Sequence, residues 1–401
     1  MSSGTMTSFD PASVVPPAHS ADALMGLESS HGVGVRPALP IAVSRGRGAW
    51  VQDTVGRRYL DLISGHGALN HGHRHPTIVA ALKAQADRLT RSAGGFHNDQ
   101  LGPFLARLTD ATGFSSALAV NTDFEALQVA AWLARSWANQ TRSVPLEQSQ
   151  VVVVGGSDLG SPPQLSGPGV VPVPFGDLEA LNAAIGPNTA AIVMAFVQST
   201  AGIEVASQAH VERTRQLCSE RGAWLIADER ETGLGRTGHL FGFEHSTVRP
   251  DCAVVGCALG GGVYPVSAIV GDGDFLHAAS TMRPAFGFGV GPLGAAVGLA
   301  ALNVMHDEGL CARSARLGAL ALERLRGLDS AHVRSVRGCG LLIGVEIEPE
   351  SGPARTFCEA LLERGVLCRD AQSQVIRLVP PLTIDEDDWD YALSVIAEVL
   401  G

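Results

Sequence analysis

The 401 residues carry a formal charge of −11, are 45% hydrophobic and 17% charged, and include seven cysteines and one lysine, Lys83, among 29 lysines and arginines. That length and apolar share can bury one large core and a smaller one, and an acidic balance without a basic stripe excludes nucleic acid and anionic membrane surfaces as partners. No apolar run reaches the roughly 18 residues that span a bilayer, Met1 to Asp22 lacks the plan of a signal peptide, and an odd set of cysteines without a C-x-x-C pair suits reduced thiols, so a cytoplasmic protein is expected.

In chain order, residues 1–20 are rich in Ser, Pro and Gly without apolar periodicity and read as a mobile tail. From Gly48 to Leu62 apolar and polar residues alternate around a turn at Thr54 to Gly56, the pattern of a hairpin, and His75 to Leu89 has helical spacing. Short apolar runs follow at 150–154, 190–197, 223–228, 252–256 and 266–270, with helical segments such as 211–221 between several of them. That alternation predicts an α/β fold built on a mostly parallel sheet covered on both faces. Ligand groups collect at the carboxyl ends of such strands, which marks Asp228, the last residue of AWLIAD, as a site residue. Past Gly294, a long helical pattern, strands over 333–347 and 375–378 and a final helix near 386–400 predict a smaller α+β domain. The expected division is a tail over 1–20, an N-terminal segment of the small domain over 21–70, a large domain over 71–294 and a C-terminal small domain over 295–401.

The blocks RGRGAWVQDTVGRRYLDLISGHGALNHGHRHP, GGFHNDQLGPFLARL, DERETGLGRTGHLFGFEH, VRPDCAVVGCALGGGVYPVSA and VIRLVPPL together resemble class III aminotransferases, most of all the ornithine aminotransferase type. The similarity runs from about Gly32 to the C-terminus. It implies the fold-type I aminotransferase architecture, a homodimer with sites at the subunit interface, and pyridoxal phosphate chemistry.

Carried over residue by residue, the resemblance does not favour that cofactor. Where the family reads Gly-Lys-Ala-Leu-Gly-Gly-Gly and its lysine forms the imine, this chain reads Gly256-Cys257-Ala258-Leu259. Lys83 falls on a helix that the family places away from the cofactor. The phosphate-cradling turn, made of small residues in the family, reads Asn121-Thr122-Asp123-Phe124-Glu125-Ala126, with a carboxylate at Asp123 and bulk at Phe124. The family's phosphate-binding threonine corresponds to Gly287 and its ring-stacking aromatic to Asp158. The aliphatic residue under the ring becomes Arg230 in Asp228-Glu229-Arg230-Glu231, where Asp228 is expected to pair with Arg230. Neither a cofactor nor a metal is expected.

On the substrate side, Arg377 in VIRLVPPL matches the family's carboxylate-binding arginine. The glutamate that masks it in ornithine aminotransferase is absent from Ser199-Thr200-Ala201-Gly202, so Arg377 is expected to be free for an anion. Asp123, Asp158, His97, Gln198 and Thr200 complete the expected substrate-binding set, and the partner is expected to be a small-molecule carboxylate. Catalytic candidates are Asp228, Arg230, Glu231, His66, which replaces a pocket tyrosine, and Cys257, although a buried cysteine is more often an inert small residue. The leading expectation is an enzyme of specialised metabolism that does without pyridoxal phosphate. It would act by acid–base cyclisation, elimination, isomerisation or hydrolysis on a carboxylate-bearing, amine-containing molecule. Its alternatives are a non-catalytic partner or metabolite-binding protein, and a residual ornithine-type aminotransferase with the cofactor held non-covalently.

Overall fold

A computed structural model of the chain describes residues 20–33, 39–92, 96–155, 165, 167–199, 202–280 and 289–401. The expected tail lies outside them except for Ser20, as do Asp158, Thr200 and Gly287.

The centre is a seven-stranded sheet in the order Ser116–Val120, Ser267–Gly271, Cys252–Val255, Trp224–Glu229, Thr189–Met194, Gln150–Val154, Val170–Val173. Neighbours from Cys252–Val255 to Val170–Val173 pair in parallel, and Ser267–Gly271 runs antiparallel to both of its neighbours. All six residues of Thr189–Met194 are buried, as a strand covered on both faces requires. The expected strands are present, with one difference: the run 190–197 is broken at its end. Thr189–Met194 belongs to the sheet, and Val197–Gln198 pairs instead with Glu204–Val205 in a two-stranded ribbon.

One face is covered by the 20-residue helix Asp123–Arg142. Its buried side includes Ala126, Leu127, Val129, Ala130, Ala131, Leu133, Ala134 and Ala138, and the small residues among them bring the helix close to the sheet. Thr122 caps its start through a side-chain oxygen that accepts from Glu125 N, and Ser143 closes it in the left-handed conformation. The other large core packs the helices Gln208–Arg221, Pro292–Asp307 and Leu310–Arg326 with the C-terminal elements, including Trp389, Ile396 and Leu400 of Glu386–Leu400.

The C-terminal sheet has the order Val333–Cys339, Leu342–Ile347, Val375–Leu378, Arg369–Ala371, all antiparallel. It sets Arg377 opposite Gly344 on one side and Arg369 on the other. The hairpin expected near the N-terminus forms between Trp50–Asp53 and Arg58–Asp61, and Val366–Leu367 joins it in parallel, tying residues from the two ends of the chain into one small sheet. Among the described residues, no helix is long and apolar enough to cross a membrane.

One glycine sets the geometry at the strand ends. A Cβ on Gly256 would lie 2.1 Å from Arg230 O and 2.6 Å from Arg230 Cα, so the loop after Cys252–Val255 packs main chain to main chain on the loop after Trp224–Glu229. Gly256→Ala is expected to lower the free energy of unfolding by about 1–3 kcal/mol or more, because both clashing partners are backbone and cannot rotate aside; urea denaturation measures it.

Candidate functional site

The carboxyl end of Trp224–Glu229 and the turn after it carry four consecutive charged side chains. Glu229 turns into the core, where it accepts from Gly242 N and Phe243 N, both at 2.8 Å, and from the Thr232 hydroxyl. Burial pushes its carboxyl up to about 7 against those three donors. Asp228 takes the Arg230 guanidinium in a fork, Nε to Oδ1 at 2.7 Å and Nη2 to Oδ2 at 2.6 Å. The pairing expected between these two residues is therefore present. Burial works against the charge of Arg230, yet Asp228, with Asp123 and Glu231 behind it, holds the guanidinium above its ordinary value.

Glu231 points the other way. It accepts from Arg377 Nη2 at 2.8 Å and from the Ser199 hydroxyl at 2.6 Å. The expectation that Arg377 is free is thus corrected: residues 199–202 carry no carboxylate, but position 231 supplies one. Arg377 is 8% exposed and its Nε is buried without a partner. The neighbouring Arg236 is fully buried, donates to Leu341 O, Pro380 O and Asn70 Oδ1, and is pushed down to about 9 by burial and by the charge of Arg377.

Cys257 opens the single turn Cys257–Gly260 directly after Gly256 and is partly buried. Burial, then the carboxylate of Asp123, push its thiol up to about 11, so at neutral pH it is a protonated thiol and a weak nucleophile. Asp123 stands at the start of Asp123–Arg142, close enough to act on both Arg230 and Cys257. Asp123, Asp228, Arg230, Glu231, Cys257 and Arg377 thus form one connected cluster. His66 is exposed, in a left-handed run over Ser64 to Gly67, with its Nε2 3.3 Å from Arg369 Nη1. His97 is exposed ahead of the helix Leu101–Thr112, and the structure does not bring it to the cluster. Gln198 is buried, its amide packed on Gly155.

The sequence reading missed Ser199, which steadies Glu231, and the pair Thr122 and Glu125. Thr122 Oγ1 accepts from Glu125 N at 3.1 Å while Glu125 Oε2 accepts from Asn121 N at 3.0 Å. The Thr-x-x-Glu spacing is that of a capping box and is readable in the sequence, with the glutamate here reaching one residue past the cap to Asn121 N. Phe124 N donates to Asp123 Oδ1 at 2.9 Å. No group of three or more His, Cys, Asp or Glu among the described residues is placed to hold a metal ion.

Residues 31–157 and 174–400 match the family model described as aminotransferase class-III. The ornithine aminotransferase of Brevibacillus brevis is 39% identical over 377 residues, covering 90% of this chain and 94% of that protein. That of Bacillus subtilis is 40% identical over 389 residues, covering 93% and 96%. Among solved structures, an ornithine aminotransferase from Toxoplasma gondii, in whose active site pyridoxal phosphate is partially occupied, superposes with a TM-score of 0.89 at 30% identity, over 95% of this chain and 94% of that one. These similarities bear out the fold-type I aminotransferase architecture. They overturn the leading expectation of a cofactor-independent acid–base enzyme, since nothing in the relatives points to such chemistry.

The residues present do not fit pyridoxal phosphate bound in the family's manner. The position that the resemblance aligns with the anchoring amine, Cys257, carries a thiol, and the chain's one lysine, Lys83, is exposed on the helix Pro76–Ala86. Both oxygens of Asp228 are engaged by Arg230. Around the start of Asp123–Arg142, where the resemblance would place a phosphate, the amides of Asn121, Phe124 and Glu125 already donate to side chains of the chain itself, the first two to carboxylates. If the thiol is as quiet as this geometry makes it, iodoacetamide at pH 8 will alkylate Cys257 roughly 100-fold more slowly than a free cysteine, because the thiolate fraction rises only as pH approaches about 11. Asp123→Asn, which removes one raising charge, is expected to speed the reaction; peptide mass spectrometry reads both.

Proposed function

This chain belongs to the class-III aminotransferase family, and from that premise we propose that it is a non-catalytic, homodimeric, cytoplasmic relative of ornithine aminotransferase that binds a carboxylate-bearing, amine-containing small molecule without transaminating it. The observation that carries the reading is Cys257. Amino-group transfer in the relatives needs a primary amine at the pocket floor, and the one lysine of this chain lies exposed elsewhere.

Arg377 supplies the binding end. A guanidinium with a buried, unpartnered Nε and a single carboxylate partner suits exchange of that partner for a ligand carboxylate, with the buried Arg236 adding positive charge behind it. Asp123 and the other carboxylates across the cluster suit an amine at the opposite end of the ligand. Exposed Phe124, at the start of Asp123–Arg142, and Phe96 are the kind of apolar surface that a second subunit covers.

A second reading, ornithine-type transamination with the cofactor held without an imine, is favoured by the 39–40% identity to ornithine aminotransferases. One assay separates the two. With ornithine, a 2-oxo acid and added pyridoxal phosphate, the first reading expects no amino transfer, and turnover by the purified protein would establish the second. Calorimetric titration with ornithine and glutamate is expected to detect binding that Arg377→Leu abolishes. Glu231→Gln, which weakens the internal competitor, is expected to tighten that binding about tenfold, and an unchanged affinity in both variants would place the ligand elsewhere.

A further inference from the structure

We infer that Arg230, rather than the missing lysine alone, closes this pocket to pyridoxal phosphate, and that the chain satisfies from within each group the cofactor would otherwise satisfy. The inference rests on the non-transaminating reading and explains what keeps the pocket in that condition.

Three observations converge. Asp228 is not an idle carboxylate: its two oxygens hold Arg230 at 2.7 and 2.6 Å, with the two side chains only 18% and 10% exposed. The Arg230 main chain cannot retreat, because Gly256 packs directly against its carbonyl and Cα. Any ring seated over Asp228 must therefore break a charge-assisted fork in a sheltered site and strand one of its members. At the other end, Asn121 N, Phe124 N and Glu125 N are taken by Glu125, Asp123 and Thr122, which places two carboxylates at the helix start that would otherwise attract a phosphate.

The floor follows the same logic. The side chain at position 257 feels Asp123, Glu231 and Arg230 together. An amine put there alone would pair with those carboxylates and stay protonated, so returning the lysine does not by itself return the cofactor.

The test uses the full chain and pyridoxal phosphate itself as probe. Wild type, Cys257→Lys, and Cys257→Lys combined with Arg230→Val are compared by equilibrium dialysis and visible absorbance. Borohydride reduction and peptide mapping then separate an imine at position 257 from one at exposed Lys83. Thermal melting confirms that each variant folds. Because Arg230→Val leaves Asp228 unpaired, Arg230→Gln, which keeps a hydrogen-bonding amide without the charge, is the second plug variant.

Wild type and Cys257→Lys are expected to bind weakly and within about twofold of one another, and the combined variant at least ~30-fold more tightly with the imine at position 257. Stoichiometric binding by wild type, or a Cys257→Lys protein that loads as well as the combined variant, overturns the inference. So does a folded combined variant that fails to load with either Arg230 substitution. Loading of Cys257→Lys alone would sink only the role of Arg230, whereas amino transfer by wild type would sink the non-transaminating reading beneath it.

Discussion

Four charged residues at the end of one buried strand set the terms for the rest of the pocket. The strand end and the turn after it give each of Asp228, Glu229, Arg230 and Glu231 a partner of its own chain. Glu229 anchors the following loop through Gly242 and Phe243, Arg230 folds back on Asp228, and Glu231 crosses to Arg377 on the C-terminal sheet. The large sheet and the small one are thereby joined through an ion pair between residues 146 positions apart. Each contact is a charge-assisted hydrogen bond in partial shelter, where losing one partner costs more than an exposed pair would.

Much of the scaffold was legible in the sequence, because apolar runs buried on both faces announce themselves. Gln150–Val154 and Glu386–Leu400 fall where the pattern places them. The helix read from residue 211 instead starts at Gln208, where Ser207 caps it, and a cap is a weaker signal than a hydrophobic stripe. The bond between Asp228 and Arg230 was legible too, since two residues of spacing at a strand end leave an arginine few other acceptors. The pairing of Glu231 with Arg377 was not. It depends on how two sheets approach, and nothing local to either residue encodes that distance. The capping box of Thr122 and Glu125 was visible as spacing and passed over, because the same six residues also line up with the family's phosphate turn.

Fold and chemistry separate cleanly in this molecule. About two-fifths identity to ornithine aminotransferases over nine-tenths of the chain preserves the packing of a large core. The charged side chains at the strand end are held on different terms, because a core answers to volume and pattern, while a site answers to individual functional groups. Family membership therefore fixes the architecture. What the pocket recognises is set by the few side chains at its floor.

Lys83 stands exposed on the helix Pro76–Ala86, the one ε-amine in 401 residues. A reagent directed at primary amines meets that side chain and the α-amino group and nothing else on the chain. The molecule thus carries a single side-chain attachment point for amine chemistry, at which a fluorophore or a solid support can be coupled without touching any residue of the charged cluster.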